Sequence, residues 1–301
     1  MRGLLLRGLG LLAALAAYAW WVEPARLTVT EEDVSDPGRP PGAPIRVLLL
    51  TDWHLGRPSP PRALEAKIRR LARRHRRQPF DLVLLGGDFL DTDRRFLPRA
   101  VPALRMLRRL GAPLVAVLGN HDYSALGGDA APLAALLRAQ GVRLLRNGAA
   151  AADVRGRRLL IIGLDDLQQA PSYYQEGRYR TPAEYEAAAA KLDWYARFDA
   201  LEPDTPRLLL AHNPDAAWLP GRRPLAVLAG HTHGGQLMPL DWLSRPLNRW
   251  LSPHLPPGGA VTWAGRRAVN GRVLIVSRGL GGSSLPLRLG RPPEAVILTL
   301  R

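Results

Sequence analysis

The sequence predicts an α/β layered fold. Three observations carry this. Short apolar runs of strand length recur from residue 45 onward, helical stretches follow the first three of them, and polar residues gather at the ends of the apolar runs. No internal repeat with a period of roughly 20–50 residues is present.

The chain begins differently. Leu4 to Val22 is apolar apart from Arg7 and the glycines, close to the ~20 residues that a bilayer crossing takes. Arg2 and Arg7 precede the clean run from Gly8, and Trp20 and Trp21 close it, where aromatic rings favour the headgroup level. Glu23 and Pro24 stop it. This predicts an N-terminal transmembrane anchor over residues 1–22, with a cytoplasmic N-terminus and an extracytoplasmic domain on the cell membrane. Two other readings compete: a signal peptide cleaved at Ala17-Tyr18-Ala19, and a helix buried in a soluble protein. Residues 23–44, acidic and rich in proline and glycine, read as a linker, with Thr28–Thr30 a candidate short strand.

From Ile45 to Arg301 the pattern is that of one catalytic-size domain. Ile45–Leu50 is a buried strand ending in Thr51-Asp52-Trp53-His54. Pro61–Arg77 is a helix with Leu64, Ile68 and Leu71 on one face and Arg69, Arg70, Arg73, Arg74, Arg76 and Arg77 on the other. Leu82–Leu85 is a strand ending in Gly86-Gly87-Asp88, and Leu97–Leu110 a helix. Leu114–Leu118 is a strand ending in Gly119-Asn120-His121-Asp122, and Ala131–Gln140 a helix stopped by Gly141. Further strands are predicted at Val142–Leu145, Leu159–Ile162, Leu208–Ala211, Ala226–Ala229, Val273–Ser277 and Ala295–Leu300.

Composition narrows the chemistry. Hydrophobic residues are 47% and charged residues 23% of the 301, which excludes a wholly disordered or collagen-like chain. Cysteine is absent, so disulfides, thiolate nucleophiles and thiolate metal sites are excluded. The net charge of +16 favours acidic partners such as nucleic acid, anionic lipid or phosphate. Arginine is nonetheless spread along the chain without basic–aromatic interleaving, so no specific nucleic-acid surface is predicted.

Asp52, Asp88, Asn120, His212 and His231 each follow an apolar run, and ligands of open α/β sheets bind beyond such strand ends. Of the seven histidines, His54, His121, His212, His231 and His233 lie at these ends; only His75 and His254 do not. Taken singly, Asp52 and Asp88 are ordinary helix caps and Asn120 an ordinary turn residue. Together, oxygen and nitrogen donors without cysteine suit Mn, Fe, Zn or Ni. Asp52, His54, Asp88, Asn120, His212, His231 and His233 are too many for one tetrahedral ion. They suit two divalent transition-metal ions sharing a carboxylate, a device for displacement at phosphorus.

The ordered set Asp52-x-His54, Gly87-Asp88-x-x-Asp91, Gly119-Asn120-His121-Asp122, His212 and Gly230-His231-Thr232-His233 resembles the calcineurin-like metallophosphoesterases. Gly234-Gly235-Gln236, Val276 to Gly281 and Arg291-Pro292-Pro293-Glu294 resemble a membrane-associated bacterial phosphodiesterase branch, similar to relatives of UDP-2,3-diacylglucosamine pyrophosphohydrolase. The resemblance implies two central mixed β-sheets flanked by helices. It also implies that Asp52, His54, Asp88 and His233 hold one metal, and that Asp88 bridges to a second held by Asn120, His212 and His231. His121 would act on the transition state or the leaving oxygen, Asp122 would orient His121, and Asp91 would be either a support behind the ligands or a loop or capping carboxylate.

The expected function is a membrane-tethered hydrolase of a phosphodiester or pyrophosphate, on a lipid or a nucleotide-sugar lipid precursor. The alternatives are a nucleotide phosphodiesterase with a soluble substrate and a catalytically weak metal-binding scaffold. Two stretches are irregular: 165–199, rich in tyrosine, reads as a cap or a surface helix pair, and 237–272, rich in tryptophan and proline, as buried packing or an interfacial loop.

Overall fold

The computed structural model describes residues 2–35, 43–56, 61–166, 205–218, 224–238, 264–269, 271–283 and 287–301. The irregular stretches 165–199 and 237–272 therefore lie largely outside the described residues, as does most of the proline-rich part of the linker.

The chain starts with helix α1 (Arg2–Ala17), a π turn (Tyr18–Val22) and a 3₁₀ turn (Glu23–Ala25). Strand β1 (Thr28–Val34) and strand β2 (Ile45–Leu50) follow, then α2 (Pro61–Arg77), β3 (Leu82–Gly86), α3 (Ala100–Arg108) and β4 (Leu114–Val117). Next come α4 (Asn120–Ala125), α5 (Ala131–Ala139), β5 (Val142–Leu144), β6 (Gly148–Val154) and β7 (Arg157–Gly163). Five strands complete the fold: β8 (Arg207–Leu210), β9 (Ala226–Ala229), β10 (Gly265–Val269), β11 (Arg272–Val276) and β12 (Glu294–Leu300).

The strands form two six-stranded mixed sheets, ordered β1-β12-β2-β3-β4-β5 and β10-β11-β9-β8-β7-β6. In the first, β2 to β5 run parallel and β12 is antiparallel to β2. In the second, β7, β8, β9 and β11 run parallel, with β6 and β10 antiparallel at the edges. The sheets pack face to face. Val47, Leu49, Leu82, Leu84 and Val117 of the first share one buried cluster with Ile161, Leu208, Leu210, Leu228 and Ile275 of the second. The alternate residues Leu48, Leu50, Val83 and Leu85 turn outward onto Leu64, Ile68 and Leu71 of α2 and Leu104 and Leu107 of α3. Burial on both faces explains why these strands read as unbroken apolar runs.

Several elements differ from expectation. α1 is 16 residues long, and no helix among the described residues is long and apolar enough to cross a membrane, so the predicted 22-residue spanning helix is not formed as one element. The α-helical ladder changes where Ala19 is buried and its carbonyl accepts the Arg288 N–H, which widens the last turn. The linker is more structured than its composition suggests. β1 takes in seven residues rather than three and pairs with β12, and Val34 is buried in the inter-sheet core. Glu23 is buried too, its carboxylate accepting the main-chain N–H groups of Gly290 and Arg291. The helix predicted over 97–110 divides at Pro98 into a 3₁₀ segment (Arg94–Arg99) and α3.

Candidate metal centre

β2, β3, β4, β8 and β9 end on the same rim, and the loops that leave them carry every predicted ligand. The backbone there is held in a conformation that side chains rarely adopt. Asp52, His54, Asp88, His231 and His233 all have positive φ, between 44° and 71°. Such conformations cost roughly 1–3 kcal/mol each and persist only where the surroundings enforce them. Main-chain hydrogen bonds do so here: Asp52 N–H donates to Gly87 O at 3.0 Å and His54 N–H to Asp88 O at 3.0 Å. Two glycines let the loops close in. A Cβ on Gly119 would fall on the Asp88 carboxylate, and one on Gly230 on the Asp52 carboxylate.

The donor atoms converge. Asn120 Oδ1, His212 Nε2 and His231 Nδ1 stand 3.1 Å from one another. Metal bonds of ~2.1 Å at right angles give ligand edges of ~3 Å, so this triangle is the right size for one face of a coordination shell. His212 Nδ1 lies 2.9 Å from the Gly86 carbonyl, which fixes its proton there and leaves Nε2 as a lone pair. Asp88 Oδ2 lies 3.2 Å from His212 Nε2 and 3.3 Å from His54 Nε2, so one carboxylate oxygen faces both halves of the site. Asp52 Oδ1 stands 3.6 Å from His233 Nε2 and 3.9 Å from His54 Nε2. Asp52, His54 and His233 form one buried triad of compatible donors, and Asp52, Asp88 and His212 another. These residues fit divalent ions by donor type, spacing and tautomer.

Electrostatics point the same way. Burial would lower the His54 pKa, but hydrogen bonds to Asp88 and Asp91 and the charges of Asp88 and Asp52 raise it to about 9. Burial, then the neighbouring His212, lowers His231 to about 3 and keeps its lone pair available. Burial acts against His212 too, but the charge of Asp88 and its hydrogen bond raise the His212 pKa well above the usual value, so metal uptake at His54 and His212 competes with protons.

Asp91 accepts from His54 Nδ1 at 3.1 Å, which turns His54 Nε2 toward Asp88. Asp91→Ala is expected to lower metal affinity ~10–100-fold with the fold intact, and Asp91→Asn, whose amide oxygen still accepts that proton, to restore most of it. Metal titration of the two variants checks this; equal losses would assign the effect to the charge instead.

His121 stands at the mouth, its side chain 26% exposed. Its Nδ1 lies 2.8 Å from the Asp91 carbonyl, and its Nε2 3.4 Å from Ser283 Oγ. The orienting role expected of Asp122 falls to Asp91. The Asp122 carboxylate is buried and accepts the N–H groups of Leu90 and Gly119, both at 3.0 Å, so it caps α4 and ties it to the β3 loop. Sequence reasoning also missed Ser283. The Gln236 side chain brackets it, donating to Ser283 O at 3.2 Å and accepting from Ser283 N–H at 3.0 Å. The Gly-Gly-Gln extension of the last histidine motif was the available signal. Arg288, fully buried, donates to the carbonyls of Arg278, Gly281 and Arg291 and braces the same loop.

Comparison with known proteins agrees with this geometry. Residues 45–235 match the calcineurin-like phosphoesterase family. The chain is 28% identical over 307 residues to the uncharacterized metallophosphoesterase YkuE of Bacillus subtilis, covering 97% of this chain and 95% of that protein. It is 30% identical over 260 residues to phosphodiesterase YaeI of Escherichia coli, covering 86% and 83%. It is 28% identical over 268 residues to the transmembrane protein with metallophosphoesterase domain of Bos taurus, covering 85% of this chain and 53% of that protein. A rim of Asp, Asn and His donors on two packed mixed sheets, matched by the family over most of that core, places the chain in the calcineurin-like phosphoesterases, as a metal-dependent phosphoester hydrolase.

Proposed function

We propose that the chain is a membrane-attached phosphodiesterase that works with two divalent transition-metal ions and acts on a phosphodiester or pyrophosphate, carried on a lipid or a nucleotide-sugar lipid precursor. The observation that carries the two-ion reading is Asp88 Oδ2, placed between the imidazoles of His54 and His212. Asp52, His54, Asp88 and His233 would hold one ion, and Asp88, Asn120, His212 and His231 the other. When bound, the ions supply Lewis-acid polarisation of the phosphoryl oxygens and activation of the attacking water. The chain's own groups do the rest. The Gly86 carbonyl and the Asp91 carboxylate hold His212 and His54 in the tautomers that ligation needs. His121, fixed through Nδ1, keeps Nε2 at the open rim, where a proton on it can pass to the departing oxygen.

Diester chemistry is supported by the likeness to YaeI, named a phosphodiesterase, and membrane attachment by the likeness to a protein named as transmembrane. Attachment also has a physical argument. Leu6, Leu9, Leu11, Leu12 and Leu15 project from several sides of α1 and, with Trp20, Trp21 and Val22, stay exposed, Leu11 at 72%. A helix apolar all round needs an apolar surrounding. Arg2 and Arg7, ahead of the apolar run, favour an extracytoplasmic catalytic domain.

Metal analysis of the protein purified from manganese-supplemented cells, paired with hydrolysis of bis(p-nitrophenyl) phosphate, tests the reading. Two ions per chain and turnover abolished by chelator are expected. One ion per chain would overturn the shared-carboxylate assignment, and metal without turnover would leave a binding scaffold. A reporter fused after Arg301 should report an extracytoplasmic C-terminus; a cytoplasmic signal would reverse the topology.

A further inference from the structure

The buried face of α2 builds the core, but its other face has no part in the site. Arg70, Arg73, Arg74 and Arg77 follow i, i+3, i+4, i+7 spacing and so form one stripe. With Gln78 they line an open cleft of about 630 Å³. An adjoining cleft of about 380 Å³ shares Arg70 and Arg74 and has Leu27, Thr28 and Val29 as its far wall. Among the described residues the stripe meets one carboxylate, Glu31, which pairs with Arg74. Arg70, Arg73 and Arg77 are exposed and form no ion pair with any described residue. Like charges at this spacing repel. The carbonyl end of α2 eases that repulsion for Arg74 and Arg77 but not for Arg70 and Arg73, which lie further from the terminus.

Position adds a second, independent observation. Leu27, in the cleft wall, is five residues beyond Val22, so at ~3.3–3.6 Å per residue it lies within ~18 Å of the end of the exposed apolar segment. Trp20 and Trp21 mark that end, and such rings settle at the headgroup level. The chain on either side of these rings is clamped to the body, through Ala19 O to Arg288 N–H and through the Glu23 carboxylate. An apolar helix in a bilayer would thus hold the arginine stripe near the lipid phosphates.

We infer that the cleft lined by Arg70, Arg73, Arg74 and Arg77 binds the phosphate groups of an anionic phospholipid surface and sets the catalytic body against the membrane. The inference rests on the membrane attachment proposed above. The partner is a bilayer rather than a nucleic acid because the wall of the adjoining cleft lies within ~18 Å of the end of the apolar segment, and the stripe carries no aromatic side chain for stacking bases.

Arginine labelling with phenylglyoxal, mapped by peptide mass spectrometry, tests it on the full chain reconstituted in phosphatidylcholine or phosphatidylglycerol vesicles. Labelling of Arg70, Arg73 and Arg77 should fall about fivefold or more in phosphatidylglycerol relative to phosphatidylcholine, and recover at high salt. Arg109, just beyond α3, and Arg138, on α5, should label alike in both. Flotation of the same samples separates the two claims. A chain that floats with both lipids yet labels equally in both keeps its attachment and overturns the cleft. A chain that floats with neither overturns both. Equal protection by millimolar inorganic phosphate or by a DNA duplex, with no lipid present, would make the cleft a soluble-anion or nucleic-acid site and also overturn the inference. The triple variant R70Q/R73Q/R77Q should hydrolyse bis(p-nitrophenyl) phosphate at the wild-type rate, which shows that it folds, and should lose its preference for phosphatidylglycerol in mixed vesicles.

Discussion

Asp88→Asn is expected to leave a folded protein that no longer holds its metals. The substitution is nearly isosteric, and Asn tolerates the positive φ of 53° at this position better than Asp does. Asp88 Oδ1 accepts the His121 main-chain N–H at 2.9 Å, and the Asn carbonyl can keep that bond. Its NH₂ group then faces His54 Nε2 and His212 Nε2, where it can donate a hydrogen bond but cannot ligate. On the two-ion reading proposed above, both ions would lose a shared anionic donor at once. Several kcal/mol of transition-state stabilisation depend on the metals, and each 1.36 kcal/mol is tenfold in rate, so turnover of a diester should fall ~10³-fold or more. Elemental analysis should find fewer than one tightly held ion per chain. The melting temperature in chelator should stay within a few degrees of wild type. Two ions retained in this variant would show that Asp88 does not bridge.

The pattern of what could be read from the sequence has physical causes. β2, β3, β4, β8 and β9 were legible because both of their faces are buried, which forces unbroken Val and Leu runs. β6 was not: Gly-Ala-Ala-Ala-Ala-Asp-Val has neither strand propensity nor alternation, and it is a strand because β7 pairs with it along its length. β10 was hidden in the same way, its exposed arginines resembling a loop. β1 was underestimated because Glu31 and Asp33 are exposed at a sheet edge, Glu32 is half-buried and paired with Arg266, and Val34 alone reaches the inter-sheet core. The ligands were legible because each ends a strand. Their supporting partners were less so, since a carbonyl such as Gly86 or Asp91 leaves no mark on residue type. Asp122 was misassigned for that reason: its place after His121 suggested a partner for that imidazole, but its carboxylate reaches back to the amides of Gly119 and Leu90. The exposed leucines of α1 follow the same logic, because an apolar run states a preference for an apolar surrounding without stating the length of the helix that meets it.

His121→Ala should separate chemistry from ligation. The residue follows Asn120 in α4, and its imidazole reaches the rim without joining the donor triangle of Asn120, His212 and His231. Metal content should therefore remain at the wild-type value, while turnover falls. General acid–base help is worth ~10²–10⁴-fold. The size of the loss should depend on the leaving group. p-Nitrophenolate departs with little protonation, so bis(p-nitrophenyl) phosphate should show a loss near the bottom of that range. An alkyl phosphodiester needs the proton and should show a loss near the top. Ser283→Ala removes the hydroxyl 3.4 Å from His121 Nε2 and leaves the acid in place, so it should cost far less on both substrates. Equal losses on the two substrates in His121→Ala would reject leaving-group protonation and assign the imidazole to charge stabilisation at phosphorus. Loss of metal in that variant would make His121 part of the ligand cage. The triad of His54, Asp88 and His121, whose donor atoms lie within 4.8 Å of one another, gives that outcome a geometric basis, so metal analysis must accompany the kinetics.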